Sequence, residues 1–164
     1  PFANGLVTVL DRLHLDDLLF RFSATLNRWR GIRPQERFVA VAGAPEAVIE
    51  LAGRYAIGIV TSRSRQESMA FLAQYGLADR VAVIISRDDS PRLKPHPQPV
   101  RKAAEKLSLP TEQCVMVGDT SVDVRAAKAA GALAIGVLCG FGEEDDLKDA
   151  DLILKSTAQV AEWL

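Results

Sequence analysis

The strongest constraint on the fold is a regular alternation of short apolar runs with amphipathic segments. The apolar runs are rich in valine, isoleucine and leucine and are bounded by turn or charged residues. They are Ala56–Thr61, Val81–Ser86, Cys114–Gly118, Leu133–Leu138 and Asp151–Leu154. Runs of this length and composition are typical of strands that are buried on both faces of a parallel sheet.

The segments between these runs have the periodicity of helices. They are Pro45–Tyr55, Arg65–Tyr75, Gln98–Leu107 and Ser121–Ala130. In the second of them Met69, Leu72 and Tyr75 recur every three residues, which places them on one helix face. Strand and helix therefore alternate, and this order predicts an α/β fold with a Rossmann-like three-layer arrangement: a parallel sheet with helices on both faces. Ligands of such folds bind at the carboxyl ends of the strands.

The first 35 residues do not follow this alternation. Leucine, phenylalanine and tryptophan recur there in a long helical pattern that ends in a basic stretch. We interpret residues 1–35 as a remnant of a small helical cap and residues 36–164 as the α/β core. Arg28, Arg30 and Arg33 are candidates for contacting a second anionic group of a substrate, but a solvated helix end is the favoured interpretation.

Charge and cysteine content exclude several classes of protein. The formal net charge is -1, so neither nucleic acid nor an anionic membrane is predicted as a partner, and a small molecule is favoured. No apolar run approaches the roughly 20 residues of a membrane span. Cys114 and Cys139 lie in hydrophobic stretches without metal-ligand spacing, which favours free thiols and a cytoplasmic location.

Two loops carry candidate phosphate-binding residues. The strand ending at Val60 delivers Thr61 and Ser62 to the start of a helix, where hydroxyl and backbone N–H groups can bind a phosphate oxygen. Serine and threonine are also ordinary helix N-caps, so this pattern alone leaves both roles open. In Lys94-Pro95-His96-Pro97, prolines restrict the backbone around a lysine that can neutralise phosphate charge. An exposed lysine in a turn would have the same pattern.

The most informative segment is Val115–Asp123. A hydrophobic strand ends at Gly118 and delivers Asp119 to the carboxyl edge of the sheet. Asp123 follows four residues later in the first turn of a helix, so that both carboxylates face the same side. Mg²⁺ commonly takes one or two protein carboxylates and completes its shell with water and substrate phosphate. The pair is a candidate Mg²⁺ site; alternatively, Asp123 is a helix-start acid and Asp119 a turn residue.

In this order and spacing, Thr61, Lys94 and the segment Gly118–Asp123 resemble the second, third and fourth motifs of the haloacid dehalogenase-like hydrolase superfamily. The resemblance covers the chain from about Phe38 onward and is greatest to phosphoglycolate phosphatase-like members. It implies a Mg²⁺-dependent phosphatase that hydrolyses a small phosphorylated metabolite, phosphoglycolate-like or a sugar phosphate, through a phosphoaspartyl intermediate.

The resemblance also implies roles for single residues. Thr61 and Lys94 are implied to be catalytic, binding and stabilising the transferring phosphoryl group, and Ser62 to add a substrate contact. Asp119 and Asp123 are implied as the metal residues, with support of Lys94 as a second possible role of Asp123.

The family's first motif is missing from its expected position. Family members carry Asp-x-Asp at the end of their first strand, ahead of the cap helices, where one aspartate is the nucleophile and the other a general acid and base. No Asp-x-Asp precedes Thr61. The nearest imitation, Leu6–Asp11, continues to Leu13 where the second aspartate would stand. Asp88-Asp89 is interpreted as a solvated turn.

In the family, that first strand lies between the strands leading to Thr61 and to Asp119. Two strands cannot remain hydrogen-bonded across an empty strand position. A segment ahead of Pro1 could supply the strand, Gly5–Leu10 could fill the gap, or the family assignment could be wrong. We favour the first explanation, under which the printed sequence is a truncated piece of a longer enzyme and is inactive alone.

A noncatalytic function is the alternative hypothesis to the phosphatase. The chain could be a noncatalytic relative that binds phosphate, a metal ion or a partner protein, which the missing nucleophile favours. A nucleotide-binding Rossmann module is disfavoured because no glycine-rich turn follows a strand early in the chain. Gly140-Phe141-Gly142 is too short a match and falls late.

Overall fold

The structure is a computed structural model that describes residues 38–164, and every structural statement below concerns that part of the chain. Its main elements follow in chain order. They are α1 (Ala44–Ala52), β1 (Gly58–Val60), α2 (Arg65–Gln74), β2 (Val83–Ile85), α3 (Gln98–Lys106), β3 (Val115–Gly118), α4 (Ser121–Ala130), β4 (Leu133–Val137), α5 (Glu144–Leu147), β5 (Leu152–Leu154) and α6 (Ala158–Trp163). Short 3₁₀ turns occur at Ala78–Arg80 and Thr111–Gln113.

The predicted strands and helices are confirmed as elements, while α5 and α6 were not predicted. Both are short, four and six residues, and so carry little periodic signal. The predicted cap in residues 1–35 lies outside the described residues, and the division of the chain at residue 35 stays a prediction. Within residues 38–164, no helix is long and apolar enough to cross a membrane.

The strand β4 shows how the layers form. Alternate residues of a strand point to opposite faces, and β4 directs Ala134 and Ile135 into two different hydrophobic clusters. Ala134 packs in a cluster with α3, α4 and α5. Ile135 packs in a cluster with α1 and α6. The sheet is therefore covered by helices on both faces, which confirms the predicted three-layer arrangement.

The described strands form two separate parallel sheets, β1–β2 and β3–β4–β5. Backbone groups of Ile57 and Thr61 pair with β2 or the segment before it. Because successive residues of a strand alternate between its two edges, Gly58 and Val60 face the other edge. There the Val60 carbonyl accepts a hydrogen bond from the Lys94 side chain at 2.9 Å. In the described part, that edge of β1 pairs with no strand, and the same holds for the outer edge of β3.

Local signals fix the helix that follows β1. Ser64 caps α2: its hydroxyl accepts from the Glu67 N–H, and the Glu67 carboxylate accepts from the Ser64 N–H at 3.0 Å. The Ser64 hydroxyl also donates to the Glu67 carboxylate at 2.6 Å, and this bond together with the one from the Ser64 N–H lowers the pKa of Glu67. Such a reciprocal capping arrangement satisfies two otherwise unpaired donors of the first turn. The capping fixes the start of α2, with the cap residue Ser64 three positions after Thr61.

Candidate active site

Lys94 connects strand β1 to helix α4, which follows β3 of the other sheet. It lies on the loop between β2 and α3, and its Nζ donates to the Val60 carbonyl on β1 and to Asp123 Oδ1 on α4, the latter at 2.7 Å. The Lys94 and Asp123 side chains are only 13% and 10% exposed. A buried ammonium requires such partners, since an unpaired charge in this environment is costly. The predicted turn lysine is therefore a mostly buried charge with a fixed position.

Asp123 uses both of its carboxylate oxygens within the protein. Oδ1 accepts from Lys94, and Oδ2 accepts from the Thr120 hydroxyl at 2.7 Å and from its N–H at 3.2 Å. Gly118 lies directly behind this carboxylate, where a Cβ would overlap the Asp123 side chain. In this geometry Asp123 is the partner of Lys94, one of the two roles that the sequence left open. Direct ligation of a metal by Asp123 stays a prediction.

Asp119 is held differently. Its Oδ2 accepts from the backbone N–H of Phe141, on the loop after β4, at 2.9 Å. Its Oδ1 accepts no hydrogen bond from residues 38–164, and the residue is half-buried. A carboxylate with one fixed and one available oxygen fits Mg²⁺, which binds through one or two carboxylates and completes its shell with water and substrate phosphate. Within the same range, no three acidic, histidine or cysteine side chains cluster to form a closed cage.

Thr61 directly follows β1. Its N–H donates to the Ile85 carbonyl at 2.9 Å, and its Oγ1 accepts from the Arg63 N–H at 3.1 Å. The Thr61 hydroxyl proton has no acceptor among the described residues, so it can donate to a bound oxyanion. Ser62 is exposed next to it, and its side chain has no partner within residues 38–164.

Asp88-Asp89 lies in a turn, as predicted, but Asp89 is not a solvated residue of that turn, since its side chain is only 19% exposed. Its carboxylate accepts from the Ser86 N–H and hydroxyl, at 2.9 and 2.5 Å, and pairs with Arg65 at 2.9 Å. Burial raises the pKa of Asp89, but the hydrogen bonds from Ser86 and Arg65 outweigh it and bring the pKa to about 2. Asp88 accepts from the Arg65 N–H at 2.7 Å. Both carboxylates thus join the loop after β2 to the start of α2.

One Asp-x-Asp tripeptide does occur, later in the chain, at Asp149-Ala150-Asp151. It precedes β5, so it stands at the amino end of a strand instead of the carboxyl end. Asp151 is paired there with Lys128 at 2.6 Å and with the Ala134 N–H at 2.8 Å. This tripeptide therefore does not replace the family's first motif. The imitation at Leu6–Asp11 lies outside the described residues.

Residues 9–137 match a protein family described as "Haloacid dehalogenase-like hydrolase". The chain belongs to the haloacid dehalogenase-like hydrolases. In this family member, the matched region includes all five predicted site residues, which are Thr61, Ser62, Lys94, Asp119 and Asp123.

Curated relatives of this haloacid dehalogenase-like hydrolase are phosphoglycolate phosphatases. The Neisseria meningitidis enzyme is 38% identical over 113 residues, covering 66% of this chain and 48% of the relative. The Xanthomonas campestris enzyme is 37% identical over 108 residues, covering 64% and 49%. The chain thus spans about half the length of the curated relatives it matches.

Solved structures agree with the family assignment. A phosphatase of this family from Thermococcus onnurineus matches with a TM-score of 0.65 and 28% identity, over 74% of this chain and 56% of the other. A hydrolase of the same superfamily, subfamily IA, from Geobacter sulfurreducens matches with a TM-score of 0.65 and 25% identity, over 77% and 61%.

Proposed function

We propose that this chain contributes the phosphate- and metal-binding part of a Mg²⁺-dependent phosphomonoester hydrolase. The observation that carries the proposal is the position of Lys94 Nζ, held between the Val60 carbonyl and Asp123 Oδ1. A lysine fixed in this way at the carboxyl edge of the strands presents a positive charge where ligands of α/β sheets bind.

The described residues can bind and orient a phosphoryl group from two sides. The ammonium of Lys94 neutralises charge on its oxygens, and the hydroxyl of Thr61 donates a hydrogen bond; Ser62 adds a contact next to it. Pre-positioned charges and donors are the main means by which enzymes stabilise phosphoryl transfer. Because Asp123 orients Lys94, it acts on the phosphate through that lysine.

A metal ion would be held by Asp119 through Oδ1, with water and substrate phosphate as further ligands. When bound, Mg²⁺ neutralises negative charge on the transferring group. Asp123 is the second predicted metal residue, but both of its oxygens already accept hydrogen bonds. We therefore propose Asp119 as the main protein ligand of the metal ion.

The nucleophile of the proposed reaction would come from a strand between β1 and β3. The separation of the two sheets supports this placement, since β1 directs Gly58 and Val60 to an edge that no described strand pairs. We favour a segment ahead of Pro1 as the source of this strand and of its Asp-x-Asp. Residues 1–35 would then belong to the cap that covers the site.

The proposed substrate is a small phosphate monoester, such as phosphoglycolate or a sugar phosphate. The names of the curated relatives support the first of these. A cap over the site would exclude bulky substrates and water. Cys114 and Cys139 are both free, which supports a reducing compartment such as the cytoplasm.

Turnover of p-nitrophenyl phosphate tests the proposal. The printed chain and a longer version with an Asp-x-Asp strand ahead of Pro1 are assayed with and without Mg²⁺. We expect Mg²⁺-dependent turnover in the longer version alone. Lys94→Ala and Asp119→Ala in that version should each lower kcat by about 10²-fold or more. Asp79→Ala, an exposed acid, is the matched control and should leave kcat unchanged.

The same assay addresses the noncatalytic alternative, which the missing upstream Asp-x-Asp favours. If the longer version folds and binds inorganic phosphate but turns nothing over, the chain is a binding protein. If turnover occurs but is independent of Asp119 and of Mg²⁺, the metal part of the proposal is wrong.

A further inference from the structure

Two glycines hold the loop after β4 against Asp119. Gly140 and Gly142 are not among the described glycines with positive φ, so backbone conformation does not require glycine at either position. Space does: a Cβ on Gly140 would overlap the Asp119 carboxylate, and a Cβ on Gly142 would overlap the Asp119 carbonyl oxygen. The loop backbone therefore approaches Asp119 more closely than residues with side chains would allow.

This close approach carries a hydrogen bond to one carboxylate oxygen. The Phe141 N–H donates to Asp119 Oδ2 at 2.9 Å. The Phe141 ring is 95% exposed, so its packing does not hold the loop in place. The backbone N–H of Phe141 and the two flanking glycines thus fix the Asp119 carboxylate, and the Phe141 side chain takes no part. Oδ1 accepts no hydrogen bond from residues 38–164 and is available to a ligand.

We propose that the Gly140-Phe141-Gly142 loop is a positioning element that orients the Asp119 carboxylate and presents Oδ1 to the metal ion. The inference rests on the proposed function, in which Asp119 ligates Mg²⁺. Mg²⁺ requires near-ideal octahedral geometry, so a ligand with a fixed orientation binds it better than one free to rotate. Groups that orient a metal ligand from behind typically change metal affinity by about 10- to 100-fold.

Hydrogen exchange measured by NMR on the metal-free chain tests the hydrogen bond itself. The Phe141 amide should exchange about tenfold more slowly than an unbonded loop amide, although it lies in an exposed loop. Asp119→Ala should remove this protection, whereas Asp119→Asn keeps an oxygen acceptor and should retain part of it. An unprotected Phe141 amide in the parent chain would overturn the inference.

Calorimetric titration with Mg²⁺ tests the consequence for the metal. Gly140→Ala forces the loop away from the carboxylate, and Phe141→Pro removes the N–H donor. Each should weaken Mg²⁺ binding about 10- to 100-fold. Phe141→Ala keeps the amide and should retain the slow exchange. Gly53→Ala, where the φ of −74° suits alanine, is the matched control and should bind Mg²⁺ like the parent.

The outcomes separate this inference from the proposed function. Circular dichroism first establishes that each variant is folded. If Asp119→Ala loses Mg²⁺ binding while folded Gly140→Ala and Phe141→Pro bind like the parent, the positioning role is wrong and the metal site stands. If Asp119→Ala and the parent bind Mg²⁺ equally well, or if neither binds it, the proposed metal site is wrong. Hydrogen exchange alone then decides whether the loop holds Asp119.

Discussion

The turn at Asp119 and the first turn of α4 at Asp123 lie four residues apart, yet the structure uses the two carboxylates differently. Asp123 is buried, and both of its oxygens accept hydrogen bonds from Lys94 and Thr120. Asp119 is half-buried and has one oxygen fixed by the Phe141 amide. Two neighbouring aspartates can thus have different roles: Asp123 pairs with the Lys94 ammonium, and Asp119 keeps one oxygen available for a ligand.

The largest expected effect comes from removing the buried carboxylate. Asp123→Ala leaves the Lys94 ammonium without its anionic partner, which should lower the free energy of unfolding by about 3–5 kcal/mol. Urea denaturation of the metal-free chain measures this change. A double variant, Lys94→Met with Asp123→Leu, removes both charges and should recover most of the loss. A loss below about 1 kcal/mol for Asp123→Ala would place the pair in the class of weak surface ion pairs.

A somewhat smaller effect should follow from crowding the same carboxylate. A Cβ at position 118 would overlap the Asp123 side chain, so Gly118→Ala should lower the free energy of unfolding by about 1–3 kcal/mol. Gly53→Ala, where the nearest contact of the added Cβ would be 3.3 Å from the Glu50 carbonyl oxygen, is the control in the same denaturation experiment. Equal stability of the two variants would mean that the segment around Asp123 relaxes without cost.

Asp89 is a third carboxylate with hydrogen-bonding partners, and we expect it, like Asp123, to stabilise the fold. Its pKa lies at about 2, below the ordinary 3.8, so the pairing of ionised Asp89 stabilises the fold by at most about 2–3 kcal/mol. A lowered folded-state pKa means that this stability is complete above about pH 4 and is lost as the pH falls toward 2. The parent should therefore exceed Asp89→Asn in stability at pH 6, and the difference should shrink between pH 4 and 2. A difference that does not change with pH would contradict the assigned pairing.

Asp119 should show the smallest effect on the metal-free fold. Asp119→Asn keeps an oxygen that can accept from Phe141, so the free energy of unfolding without metal should change by less than about 1 kcal/mol. Mg²⁺ at ten times its dissociation constant should stabilise the parent by about 1.4 kcal/mol and leave Asp119→Asn unchanged. Thermal unfolding with and without Mg²⁺ measures both quantities. A large loss of stability without metal would make Asp119 a structural residue like Asp123.

Much of the fold could be predicted because its signals are local. Apolar runs such as Leu133–Leu138 determine their own strands, and periodic segments such as Ser121–Ala130 determine their own helices. The alternation of the two determines a three-layer fold, in which helices cover both faces of a parallel sheet. The same alternation placed Thr61 and Asp119 directly after strands, Lys94 in a loop and Asp123 in the first turn of a helix.

The roles within the site could be predicted only in part. The four-residue spacing predicted that Asp119 and Asp123 lie on one side of a helix start. It could not predict which of them pairs with Lys94 and which keeps an oxygen for a ligand. The backbone donor at Phe141 has no side-chain signature. Its only trace in the sequence is the pair of glycines that flank it, which by themselves are too common to indicate contact with a carboxylate.

The sequence by itself determined the order of the five strands and of helices α1 to α4, the family motifs and the residues near the carboxyl edge. Only the tertiary structure decided that Lys94 is buried against Asp123 and that Phe141 fixes Asp119. The reason is physical: these bonds join residues 29 and 22 positions apart. Helical and strand periodicity act over a few residues, whereas a contact across such distances depends on how the elements pack.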